Sequence, residues 1–168
     1  EGFYYKPRID HEALEQYHEG LVCCSACLAG EVNQAILAND MEKAKEVALW
    51  HKSIFGEDYY LEIQHNGINE QVLANQKLIQ LSRELDIPLV ATNDAHYLKR
   101  EDAYNHEVLL CIQTGKRMTD EDRMKFDTDE LYVKSPEEMS EFFSNVPDAI
   151  ENTVKIAEKC NVEFEFGH

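Results

Sequence analysis

The stretch "PLVATNDAHYL", residues 88–98, ends an apolar run with Asn93, Asp94 and His96. In extended backbone, residues two apart point to the same side, so Asp94 and His96 can reach one metal ion or two adjacent ones. A carboxylate and an imidazole suit zinc, or manganese and iron where carboxylates dominate, and a hydrolytic centre of that kind lowers the pKa of bound water. Two more pairs of candidates stand in equivalent places: Ser25 and Cys27 at the end of "GLVCCSA" (20–26), and Gln64 and His65 at the end of "DYYLEIQ" (58–64).

Those three runs, with "IPLVATN" (87–93), have strand length and strand composition. A helix is predicted from Glu31 and another over 41–55, capped by Asp40. Ala74, Leu78, Leu81 and Leu85 repeat at helical spacing between the second and third strands. The alternation predicts a parallel α/β sheet, its middle strand (Tyr60, Leu61, Ile63) buried on both faces. In such sheets functional groups gather at the carboxyl ends of the strands, which is where Asp94, His96, Cys27 and His65 fall.

Beyond His96 a helix is predicted over 101–113, ended by Thr114 and Gly115, then a short strand at "LYVK" (131–134). Ser135, Pro136 and Glu138 form a capping box for a further helix, and Pro147 starts a last one that buries Ala149, Ile150, Val154, Ile156 and Ala157. The C-terminal part therefore reads as mostly helical. "EFEFGH" has strand-like alternation without a partner, and the chain reads as a piece of something longer.

Each candidate also has a commonplace reading. Asp-x-His after a strand is often an Asx-turn, a lone cysteine a small buried hydrophobe, and His65 before Asn66 and Gly67 the start of a turn. Their coincidence at successive strand ends raises the functional alternative to equal standing. His11, His18, His51 and His106 lie in helical patterns and read as surface or packing residues, and Glu62 is left outside the set. "TDED" (119–122) and "DTDE" (127–130) read as solvated acidic segments.

A chain of 168 residues, 43% apolar and 10% aromatic, can bury one core. Its 33 acidic and 16 basic side chains give a net charge of -17, which opposes direct binding to a phosphate backbone. Five cysteines without framework spacing, and no long apolar run, predict a reduced, cytoplasmic protein with no membrane partner. Cys24-x-x-Cys27 resembles half of a zinc knuckle or a redox pair, but no second pair answers it.

"GLVCCSACLAGEV", "FGEDYYLEIQHNGINEQ", "IPLVATNDAHYLKREDAYNHEVLLCIQTGK" and "KSPEEMSEFFSNVPDAIENTVKIAEKCNVEFEFG" resemble consecutive blocks of one family, the PHP (polymerase and histidinol phosphatase) domain of bacterial DNA polymerase III alpha subunits. The resemblance implies a partial PHP-type distorted (β/α)7 barrel over residues 1–114 and a mainly helical lead-in to a polymerase core over 115–168. It implies Asp94 and His96 as metal ligands, with Cys27 from the "SAC" block and His65 from a "Q-H-G"-like block that Asn66 interrupts. The family's His-x-His motif and the His and Glu after it are expected upstream of Glu1, so these residues supply half a site for zinc or manganese and the isolated piece can be metal-free.

Three functions stand as alternatives, two from that resemblance and a third that sets it aside. The first is part of a replicative DNA polymerase whose PHP domain is a metal-dependent phosphoesterase, trimming 3' ends as an exonuclease; the piece alone is expected to be inactive. The second is a vestigial structural or docking domain for a proofreading exonuclease and the polymerase core. The third, a barrel metallohydrolase acting on small molecules, leaves the blocks after Thr114 without a role. The polymerase site itself, with its magnesium ions, is expected downstream. DNA is met only through the parent, the remainder of the alpha subunit is the first partner, and open sheet edges predict self-association of the piece.

Overall fold

The computed structural model describes residues 3–167. A two-residue antiparallel pair, β1 (Phe3–Tyr4) and β2 (Lys6–Pro7), precedes helix α1 (His11–Gln16), whose N-cap is the Asp10 carboxylate accepting from Ala13 N at 2.9 Å. The centre is a three-stranded parallel sheet, β3 (Cys23–Cys24), β4 (Tyr59–Gln64) and β5 (Leu89–Thr92), in the order of the chain. Helices α2 (Glu31–Leu37) and α3 (Met41–Phe55) connect β3 to β4, and α4 (Asn69–Leu85) connects β4 to β5. The sequence pattern thus produced the expected mixed α/β sheet with helical crossovers.

β4 is buried along both faces because it is the middle strand. Tyr59, Leu61 and Ile63 point into an apolar core with Val32 and Ile36 of α2, Ala44 and Ala48 of α3, and Leu78 and Leu81 of α4. Tyr60, Glu62 and Gln64 alternate to the other side. Asp40 caps α3 through Lys43 N at 2.9 Å, as expected, and Lys52 Nζ donates to the carbonyls of Leu85 and Asp86 at the end of α4, tying the two crossovers together.

After β5 the chain enters a 3-10 turn (Arg100–Asp102) and α5 (Ala103–Thr114), which Gly115 ends in the left-handed region at φ 67°. Helices α6 (Pro136–Phe142) and α7 (Asp148–Lys159) follow, the first with the expected Ser135/Glu138 capping box.

Five local readings are corrected. The first strand has two residues instead of seven, because Cys23 and Cys24 pair with β4 and, after the Ser25 N to Tyr60 O bond, the chain turns at Ala26. "LYVK" makes a single parallel bridge, Tyr97 to Tyr132, because the segment beside it leaves at once for the 3-10 turn. Residues 116–135 contain no helix, so the part after Thr114 is not mainly helical. On α7, Ala149 is buried, Ile150 and Ile156 are half-buried, and Val154 and Ala157 are exposed, while Asn152 is buried in their place to donate to Leu89 O at 2.7 Å. Val162, Phe164 and Phe166 are exposed and form no strand.

Candidate functional site

The carboxyl ends of β4 and β5 carry a polar cluster built by register. Gln64 pairs with Thr92 across the ladder, so both side chains stand beside Glu62 on the face away from the apolar core. Thr92 Oγ1 donates to Glu62 Oε1 at 2.5 Å, and Gln64 Nε2 donates to the same oxygen and to Thr92 Oγ1, each at 3.2 Å. Glu62, left outside the expected set, is therefore the hub of the strand ends. The next turn is laid down by Asn75 of α4, which binds Gln64 N at 3.3 Å and Gln64 O at 2.7 Å.

Asp94 follows directly, in left-handed backbone with φ 55°, a conformation that Asp and Asn tolerate better than most residues. The bend turns its carboxylate to Asn66, whose Nδ2 donates to Oδ2 at 3.0 Å. Asp94 Oδ1 takes no hydrogen bond among the described residues and lies 3.9 Å from His96 Nδ1. A carbonyl only accepts, so that nitrogen donates to the Asp94 carbonyl at 2.9 Å, and Nε2 takes no hydrogen bond among the described residues. The backbone here is carried by the bridge segment: Leu131 O accepts from His96 N at 2.7 Å and from Tyr97 N at 3.2 Å.

Asp94 and His96 are thus brought together, while Cys27 and His65 are placed elsewhere. Cys27 lies in the turn before α2, half-buried, with its carbonyl accepting from Gly30 N at 2.9 Å and Asn33 Nδ2 at 2.8 Å. His65 stacks on Phe142 of α6, ring centroids 3.6 Å apart, and burial, helped by the Lys134 and Arg100 cations, holds its imidazole below the ordinary value. Among the described residues no group of three or more His, Cys, Asp or Glu side chains is arranged to hold a metal.

The donors that are present still fit a metal's needs. A carboxylate and an imidazole stand side by side, each with one polar atom, Asp94 Oδ2 and His96 Nδ1, hydrogen-bonded in the way that orients ligands. Two nearby amide oxygens, Gln64 Oε1 and Asn93 Oδ1, are buried without a partner.

The "DTDE" segment is not simply solvated. Thr128 Oγ1 donates to Asn66 O at 2.8 Å, and Asp129 and Glu130 pair with Arg100. The guanidinium lies 4.7 Å from the Tyr132 ring centre and the enclosed Lys134 ammonium 4.6 Å from it. Burial holds that ammonium below its ordinary value despite Glu130 nearby. His106 of α5 and Phe126 stand against His96, a role that no local pattern announces.

This sheet, with a polar cluster at its carboxyl end, agrees with the sequence comparison: residues 1–66 match the PHP domain model. Asp94 and His96 lie beyond the matched residues. Over nearly its whole length the chain corresponds to a segment of DNA polymerase III alpha subunits. It is 53% identical to DNA polymerase III subunit alpha of Borreliella burgdorferi over 96% of this chain and 14% of the relative. Against the subunit from Campylobacter jejuni the figures are 49%, 99% and 15%, and against that from Treponema pallidum 46%, 96% and 14%. The chain spans about 14% of the length of the first of these relatives. No helix among the described residues is long and apolar enough to cross a membrane.

Proposed function

We propose that this chain is the PHP-domain segment of a replicative DNA polymerase alpha subunit and carries half of a metal-dependent phosphoesterase site. The observation that carries the reading is the closeness of the Asp94 carboxylate and the His96 imidazole, Oδ1 3.9 Å from Nδ1, past the carboxyl end of a parallel sheet. In this reading Asp94 and His96 hold divalent zinc or manganese, and Cys27 and His65 complete the set once upstream strands close a barrel of seven strand–helix units. The metal would supply Lewis-acid polarisation of a phosphoryl oxygen and activation of water for hydrolysis of DNA 3' ends. Asn66 holds the carboxylate, and the Asp94 carbonyl holds the imidazole in the tautomer that can ligate.

Residues 1–114 would be the end of the barrel and 115–168 the lead-in to the polymerase core. The parent would act in the cytoplasm, meet DNA through other surfaces and take magnesium for nucleotidyl transfer. A second reading, a domain that serves as a structural platform or docks a proofreading exonuclease, is favoured by the seating of His65 on Phe142.

The test is metal content by plasma mass spectrometry on the full-length polymerase subunit, wild type against His96→Ala. Transition metal that is present in the wild type and depleted in the variant supports the phosphoesterase reading. Metal-free protein in both cases leaves the docking role.

A further inference from the structure

His96 stands past the end of β5, with its side chain one-third exposed, where the sheet no longer constrains it. The hydrogen bond from Nδ1 to the Asp94 carbonyl ties one edge of the ring, and the rest of it is steadied only by what packs against its faces. Two rings from the part of the chain after the sheet do so. His106, in the first turns of α5, meets His96 edge-on with centroids 5.5 Å apart at 70°. Phe126, from the irregular segment 116–135, lies 5.3 Å from His96 at 54°. The two are 5.8 Å apart at 28°, which closes a triangle of rings, and Tyr97 packs on His106 at 5.5 Å.

We infer that His106 and Phe126 are positioning residues: they bracket the His96 ring so that Nε2 is presented to a divalent cation, and neither is itself a ligand. The inference rests on the metal-binding reading of Asp94 and His96. It also assigns a task to α5 and the loop after it, which fix one imidazole that the sheet leaves loose. Aromatic packing of this kind acts through shape and edge-to-face attraction, so another ring of similar size can replace His106.

The experiment is a calorimetric titration of the full-length subunit with Mn2+, alongside carbethoxylation of histidines by diethylpyrocarbonate mapped by peptide mass spectrometry. His106→Ala and Phe126→Ala are each expected to weaken Mn2+ binding by about tenfold, while the ring-preserving His106→Phe and Phe126→Tyr stay within about twofold of wild type. His96 is expected to carbethoxylate several-fold faster in Phe126→Ala, with His11 and His51 unchanged. If His106→Phe binds as weakly as His106→Ala, His106 is a ligand and the inference fails. Alanine variants that bind as wild type overturn it too. A wild type that binds no Mn2+ overturns the phosphoesterase reading instead, and the His96 modification rate then decides the bracket: an unchanged rate in Phe126→Ala sinks it.

Discussion

The buried Asn66 amide donates to the Asp94 carboxylate at 3.0 Å, joining the turn after β4 to the turn after β5 across 28 residues of sequence. The same residue braces its own turn, since its Oδ1 accepts from Ile68 N at 3.2 Å and its carbonyl accepts from Thr128 Oγ1.

Replacing Asn66 with Ala strips Asp94 of its donor and leaves buried polar atoms unmatched, which costs about 1–3 kcal/mol of stability. Urea denaturation of Asn66→Ala should show a lower midpoint at unchanged slope. An unaltered midpoint would mean that the amide is not what joins the two turns.

Asp94→Asn separates chemistry from fold. Asn tolerates the left-handed backbone at φ 55°, and its own amide oxygen can accept from Asn66. Stability is expected to stay within about 1 kcal/mol of wild type while metal content falls. Equal loss of both, read by melting and by metal analysis, would make Asp94 a structural residue.

Gly67 has φ 73°, and a Cβ there would sit 2.5 Å from Thr128 Oγ1 and 3.0 Å from Glu130 Cγ. Gly67→Ala adds backbone strain to that collision and displaces the hydroxyl that binds Asn66 O, for a loss of about 2–4 kcal/mol. A thermal melt checks it; Gly67→Ala melting with the wild type would show that the loop 127–130 yields freely.

His65 links stability to pH. Burial, with Lys134 and Arg100 adding to it, holds its folded pKa below the ordinary 6.5, so the unfolded chain takes up the proton first as pH falls. The neutral ring's contribution is complete above about pH 6.5 and is lost progressively as pH drops from there towards the depressed folded value. His65→Phe, which keeps the stack on Phe142, should flatten the dependence of unfolding free energy on pH over that range. A slope as steep as that of the wild type would assign the effect to another group.

The elements that local chemistry specifies were legible in the chain. The Asp40 cap, the Ser135/Glu138 box, the Ala74–Leu78–Leu81 stripe and the doubly buried Tyr59–Gln64 strand each rest on residues within a few positions of one another. What failed depends on distant partners. Val154 is apolar and fits a core pattern, yet α7 turns Ala149 and Asn152 inward, and Asn152 reaches Leu89 O of β5. Glu62 looked like a stray strand carboxylate until the register set Thr92 and Gln64 beside it. At the site, Asp94 and His96 do lie close, but not for the reason their two-residue spacing suggests: the strand ends at Thr92, and Asp94 is in left-handed instead of extended backbone. The seats of Cys27 and His65 could not be read from the sequence, because each is fixed by a turn or a stacked ring. Phe126 carries no signal at all, since it reaches His96 from an irregular segment 30 residues away.

The sheet follows chain order, with β4 between an earlier and a later neighbour, and this dictates timing. Leu61 N is hydrogen-bonded only when Pro88 O has arrived, and Ser25 N reaches Tyr60 O only once α2 and α3 have closed their loop. The ladder of the middle strand is therefore complete only after both crossovers have closed, and pulsed hydrogen exchange during refolding is expected to show its amides protected no earlier than those of α3 and α4; earlier protection would sink this order.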